Sequence, residues 1–205
     1  MKRKNILTLA GIAVLASCAT YVAPTKEETA EVVKSSFKER GIAKLDRLNQ
    51  SDLQAMCSDA SLTGKELPKD VRERLERQAL ATVKYPKDGR FLGDYKLGER
   101  IAQTGVGLQW SDSDKTVNGG NCYACHEIAP QEVSFGNIGP SLKGYGKLRG
   151  YNEKTVQYTW AKIWNTHAFN TCSQMPRYGD AGILTEDQIR DVMALLLDPN
   201  SPVNK

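Results

Sequence analysis

Five consecutive residues, Cys122-Tyr123-Ala124-Cys125-His126, put two thiols and an imidazole within one turn of chain. Two thiols separated by two residues reach the same edge of a flat porphyrin, where each can add across a vinyl group. The adjacent imidazole then falls beneath the central iron as its proximal ligand. The chemistry this spacing suits is covalent attachment of haem c. Two other readings use the same atoms. A zinc site wants a second cysteine or histidine pair at ligand spacing, and Cys57, Cys172 and His167 are scattered singly. A redox-active thiol pair sits beside a strand in a βαβ setting, whereas the residues before Gly119 read as a helix and a polar loop.

An electron-transfer haem needs a sixth ligand. The chain has two histidines and four methionines, one of them Met1, so the choice is short. Met175 leads: it lies in a loop next to Pro176, whose fixed backbone can hold the thioether toward iron. His167 is the rival, a stronger ligand placed just beyond a helix end. Met56 and Met193 sit on apolar helix faces and read as core. A thioether ligand implies a raised reduction potential, because sulfur favours the ferrous state. On the proximal side, Gly139-Pro140-Ser141-Leu142 follows His126 at a distance suited to folding back under the ring. There the carbonyl of Pro140 can accept a hydrogen bond from Nδ1 of His126 and fix its tautomer. Trp160, Tyr158 and Arg177 are candidates for the haem propionates, each with a packing or surface role as the alternative.

The other cysteines speak to location. Lys2, Arg3 and Lys4 precede an apolar run from Ile6 to Ala16, the pattern of an export signal over residues 1–17. Leu15-Ala16-Ser17-Cys18 looks like a bacterial lipobox, predicting a periplasmic, membrane-anchored lipoprotein lipidated on Cys18; an ordinary small-residue cleavage site is the alternative. Those three basic residues carry three of the four excess charges, so the mature chain is nearly neutral and the charge balance gives no sign of a nucleic-acid partner. Cys57 and Cys172 remain. In an oxidising compartment two leftover cysteines tend to pair, predicting a disulfide from the N-terminal region to the loop before Met175, with two separate buried thiols as the alternative. In the chain-entropy model such a link stabilises by up to ~4 to 5 kcal/mol, less where haem already restrains part of the loop.

The elements that must position these groups read as helices. Capping boxes at Thr25 with Glu28, Ser51 with Gln54, and Thr185 with Gln188 open three of them. Pro68 starts another, carrying Val71, Leu75, Ala79 and Val83. One runs from Asp94 through Gly98 and Ala102, where the small Gly98 lets another helix cross closely. One runs from Asn152 through Trp160 and Trp164, and the last is stopped by Pro199. No segment has a strand period. The predicted class is all-α, with a tether and helical extension over 18–90 and a haem domain over 91–205.

Residues 94–205 resemble the class I cytochromes c. More narrowly they resemble the SoxX family, the small monohaem subunits of the SoxAX sulfur-oxidation cytochromes. The likeness rests on Gly120 to His126, Ile138 to Leu142, Gly144 to Lys147, Trp160 to Asn165, Cys172 to Gly179, and Gly182 to Thr185 leading to Leu197-Asp198-Pro199. It implies a class I cytochrome c fold with one haem c on Cys122 and Cys125, ligated by His126 and Met175. It also implies a heterodimer with a SoxA-type cytochrome, which attaches thiosulfate to a cysteine of the SoxYZ carrier. The complex is an L-cysteine S-thiosulfotransferase in which this subunit accepts electrons, passes them to a downstream cytochrome or oxidase, and holds no catalytic residue. The alternative is a free-standing periplasmic carrier feeding a terminal oxidase. Lys143, Lys147, Arg149, Lys154 and Lys162, against Glu153 alone, form either a patch that steers an acidic partner or a merely solvated face.

Overall fold

A computed structural model describes residues 23–205. The export signal, the tether's first residues and Cys18 lie outside the described residues. The chain divides into a segment ending at Lys38 and a compact unit, Glu39–Lys205. In the first, helix α1 (Lys26–Ser36) is opened by Thr25, whose hydroxyl accepts the Glu28 N–H while the Glu28 carboxylate accepts the Thr25 N–H. It buries none of its residues.

Six further helices make up the compact unit: α2 (Asp52–Thr63), α3 (Lys69–Ala81), α4 (Tyr95–Gln103), α5 (Tyr145–Arg149), α6 (Glu153–Trp164) and α7 (Glu186–Leu197). Among the described residues there is no β-strand, only an isolated bridge between Arg40 and Ala43. The capping boxes at Ser51 and Thr185 form as their spacing predicts. The all-α expectation holds. The short α5 is an addition, for residues 145–149 lack the length to show a period.

The core is built where α4 and α6 meet α7. Helix α7 carries an unbroken apolar run at its end, and Ile189, Val192, Met193, Leu195, Leu196 and Leu197 are all buried. Burying one such side chain stabilises by ~1.5–3 kcal/mol. Gly98 of α4 is where α7 crosses: a Cβ there would lie 2.1 Å from the carbonyl oxygen of Asp191 and 3.1 Å from Cβ of Leu195. The backbones therefore approach as only glycine permits. Trp160 is fully buried; its indole N–H donates to the carbonyl of Lys84 at 2.8 Å, and Phe91 meets its ring edge-on with centroids 5.5 Å apart.

The segment from Glu39 to residue 90 is packed into this unit rather than strung beside it. Leu75 and Ala79 of α3 are buried, and Asn165, at the end of α6, donates to the hydroxyl of Thr82 at 3.0 Å. Cys57 of α2 and Cys172 are disulfide-bonded, closing a separation of 115 residues with Cα atoms 5.5 Å apart. The pairing expected of the two leftover cysteines is therefore present.

Candidate functional site

The motif turn is pinned from both sides by backbone bonds. Before it, the N–H groups of Gly120 and Asn121 donate to the carbonyls of Ile101 and Thr104 at the end of α4, at 2.8 and 2.9 Å. Asn121 then takes a left-handed conformation (φ 47°, ψ 41°), which asparagine tolerates better than most residues, and turns the chain into a single 3-10 turn, Cys122–Ala124. The N–H groups of Cys125 and His126 both donate to the carbonyl of Cys122, at 3.1 and 3.0 Å. Cys122, Cys125 and His126 are thus held on one tight coil, with both thiols free.

After the motif the chain folds back along it. Gly136, Gly139 and Leu142 donate from their backbone N–H groups to the carbonyls of Tyr123, Cys125 and Glu127, each at 2.8 Å. This run, parallel to the motif segment, brings the carbonyl of Pro140 to 2.7 Å from Nδ1 of His126. A carbonyl only accepts, so Nδ1 carries the proton and Nε2 is left as the basic, ligating nitrogen. The ring lies directly over Gly139, where a Cβ would come within 2.2 Å of Cε1.

A second clamp escaped sequence reasoning. The hydroxyl of the buried Tyr123, inside the motif, donates to the carboxylate of Glu99 on α4 (2.9 and 3.0 Å to its two oxygens) and accepts the N–H of Ala129 at 3.1 Å. Burial raises the Glu99 carboxyl above its ordinary value and pushes the Tyr123 phenol up as well. Nothing in the spacing of residues 24 apart signals this pair. The cue was the polar tip of a tyrosine fixed in the motif, which must find a partner once buried.

Met175 stands on a separate loop, half-buried against the same hydrophobic core that Cys122 and Leu142 touch. It lines a cleft of about 1340 Å³, whose lining includes none of Cys122, Cys125 or His126. The two halves of the site are joined instead through Tyr178, three residues past Met175. Its hydroxyl donates to the carbonyl of Gly120 and lies within hydrogen-bonding reach of the Cys122 thiol. Burial pushes that thiol up to about 12, so Cys122 is held neutral, as it also is in a thioether.

His167, the rival ligand, is buried, with Nε2 3.3 Å from the carbonyl of Ser173. Burial lowers its pKa, favouring the neutral ring. The candidates for the propionates have other partners: Trp160 is committed to Lys84, Arg177 pairs with Asp180 at 3.0 Å, and Tyr158 packs on Phe169 with centroids 4.7 Å apart. Trp164, stacked on Trp160, instead keeps a buried indole N–H without a protein partner. Among the described residues no group of three or more His, Cys, Asp or Glu is placed to hold a metal ion, which leaves the zinc reading without a ligand set.

The donor set fits a covalently held porphyrin iron: two unpaired thiols and an oriented imidazole on one turn, backed by a glycine that no larger residue can replace. When bound, that group supplies one-electron exchange. Cys122 and Cys125 would hold it, and His126, oriented by the Pro140 carbonyl, would ligate its iron. Comparison with known proteins agrees. Residues 111–198 match the cytochrome c family. A relative described as an uncharacterized lipoprotein of Aquifex aeolicus (strain VF5) is 34% identical over 212 aligned positions, covering the whole of both chains.

Proposed function

As this chain carries a cytochrome c domain over residues 111–198, a domain whose cofactor is covalently bound haem c and whose work is electron transfer, we propose that it is the electron-accepting subunit of a SoxAX-type complex. In that complex a SoxA-type partner holds the sulfur atoms and couples thiosulfate to a cysteine of the SoxYZ carrier. Forming that sulfur–sulfur bond releases two electrons, which leave one at a time through haem to a downstream cytochrome or oxidase. The observation that carries the reading is the joining of two loops by Tyr178 and Gly120. One presents Cys122, Cys125 and His126, and the other presents Met175 within the run Cys172 to Gly179 that is most like SoxX. His126 and Met175 are the two axial ligands in this reading.

Reconstitution tests it. Haem in this chain becomes reduced when thiosulfate, SoxYZ and a SoxA-type partner are present together, and the chain alone couples nothing. Coupling by the isolated chain, or haem that stays oxidised while the complex turns over, overturns the assignment. If the chain instead forms no complex with SoxA and reduces an oxidase directly, it is a free carrier.

The address is part of the same proposal. Among the described residues no helix is long and apolar enough to cross a membrane. The relative's description as a lipoprotein and the Leu15-Ala16-Ser17-Cys18 run support a periplasmic protein anchored by lipid on Cys18. Mass analysis of the mature N-terminus should find diacylglyceryl cysteine; an unmodified N-terminus overturns the anchor.

A further inference from the structure

Helix α2 is an odd piece of the compact unit. It buries none of its side chains fully, and its packing against other helices is slight. One covalent bond ties it to the rest, from Cys57 to Cys172. Yet it forms a wall of the cleft that Met175 lines, presenting Leu53, Gln54 and Cys57 to it. A helix that gains so little from burial stays in place only if something else holds it there.

The far end of that bond lies three residues before Met175, in a loop without regular structure. Its neighbours are fixed by hydrogen bonds. The buried Thr171 donates to the Glu76 carboxylate of α3 from its hydroxyl at 3.1 Å and from its N–H at 3.3 Å. The hydroxyl of Ser173 accepts from Thr166 at 3.0 Å and from the N–H of Met175 at 3.2 Å. These bonds set the local path of the loop: Thr171 is buried and held to a carboxylate, whereas nearer the ligand Ser173 and Met175 are half-buried and held by neutral hydrogen bonds, which open more readily. The disulfide is the one tie in this stretch that thermal fluctuation does not break.

We propose that the Cys57–Cys172 disulfide is a positioning device for the iron's sixth ligand, holding Met175 in its binding-competent place and α2 over the cleft beside it. The proposal rests on the assignment of Met175 as that ligand. A neutral thioether binds iron only modestly, so its occupancy depends on how completely the loop is confined beforehand. A ligand present in the right place for only a fraction of the time loses affinity by that fraction, and a competitor gains accordingly. With the bond intact, the loop is confined and the cleft walled; with it cut, both constraints go together.

The test uses the haem-loaded protein in two forms. One is the double variant C57A/C172A. The other is native protein whose disulfide is reduced by dithiothreitol, which gives up two electrons and two protons and closes to its own cyclic disulfide. The new thiols are then alkylated and the haem reoxidised. For both we expect unchanged far-ultraviolet circular dichroism and haem attachment. The near-infrared sulfur-to-iron band should weaken, the reduction potential fall, and affinity for added imidazole at ferric haem rise about tenfold. Should C57A/C172A fail to attach haem, the reduced and alkylated protein decides. Band, potential and imidazole affinity equal to those of native protein overturn the proposal. M175A separates the two claims. If M175A leaves the native band and imidazole affinity unchanged, the ligand assignment falls and takes the proposal with it. If M175A abolishes the band while cutting the disulfide changes nothing, the assignment stands and only the positioning role falls.

Discussion

The carbonyl of Pro140 meets Nδ1 of His126 at 2.7 Å, and the ring it orients rests on Gly139 with no room for a methyl group between them. Hydrogen bond and glycine act on the same ring: one fixes its tautomer, the other permits its approach. A Gly139→Ala substitution keeps the bond's donor and acceptor but drives the ring off its seat, because backbone and imidazole cannot both give way by the required distance. Partners of this kind around a metal-ligating histidine are typically worth ~10–100-fold in affinity or activity. The expected outcome is a mixed or high-spin Soret spectrum with both thioether links intact by mass. A native low-spin spectrum for G139A contradicts it.

For the distal side, Met175→Ala should abolish the weak near-infrared sulfur-to-iron band and lower the reduction potential, since the thioether no longer favours ferrous iron. His167→Ala should leave that band in place, because Nε2 of His167 is occupied by the carbonyl of Ser173. The variant should lose stability instead, by about 1 kcal/mol, as the half-buried Ser173 carbonyl loses its partner. Chemical denaturation alongside the spectrum separates the two effects.

His167 also predicts a pH dependence. Burial lowers its pKa in the folded protein below the ordinary value of about 6.5. On acidification below that value the unfolded chain takes up the proton first, so stability falls with pH through the window between 6.5 and the lowered folded value. At pH above the window both states are neutral and the residue contributes no slope. His167→Gln, which can still donate to the Ser173 carbonyl, should flatten the acid limb of stability just below about pH 6.5 relative to the native protein. Identical slopes for the two proteins tell against it.

Much of the helical framework was legible because its signals are local. A capping box is two side chains and two backbone groups within four residues, and those at Thr25, Ser51 and Thr185 form as their spacing suggests. The motif turn was legible for the same reason. What was not legible depends on distant partners. Helix α5 is one example: it lies between Gly144 and Gly150, both with positive φ, and is held by Asn204, which accepts the Lys147 N–H at 3.2 Å. No pattern within five residues announces that. Trp160 is another. Its indole satisfies the carbonyl of Lys84, 76 positions away, so of the two roles open to it, propionate partner or packing, it takes the packing one, while Trp164 one turn later keeps the free N–H. The Tyr123–Glu99 clamp is a third, visible only once α4 is folded against the motif.

Gly98 joins the legible and the illegible, because its smallness hints at a close crossing without naming the partner. The partner is α7, with the Asp191 carbonyl 2.1 Å from where a Cβ would stand. Backbone oxygen cannot rotate away as a side-chain tip can, so an added methyl must push the two helices apart along the face that buries Ala102 and Leu195. Against this, alanine is the better helix former by ~1 kcal/mol, which offsets part of the cost. Overpacking a tight core contact costs ~1–3 kcal/mol, occasionally more, and an approach this close belongs at the upper end. The net expectation for Gly98→Ala is a loss of ~1–2 kcal/mol, a fall in Tm of roughly 2–8 °C for a chain of this size. The same displacement is felt at the haem motif, since α4 ends where the carbonyls of Ile101 and Thr104 pin Gly120 and Asn121. G98A should therefore lower both the Tm and the yield of haem-attached protein, while G98S, which adds the same Cβ, should behave alike. A Tm at or above the native value in G98A would show that α7 yields at this crossing, and that the glycine is not what sets the distance between the two helices.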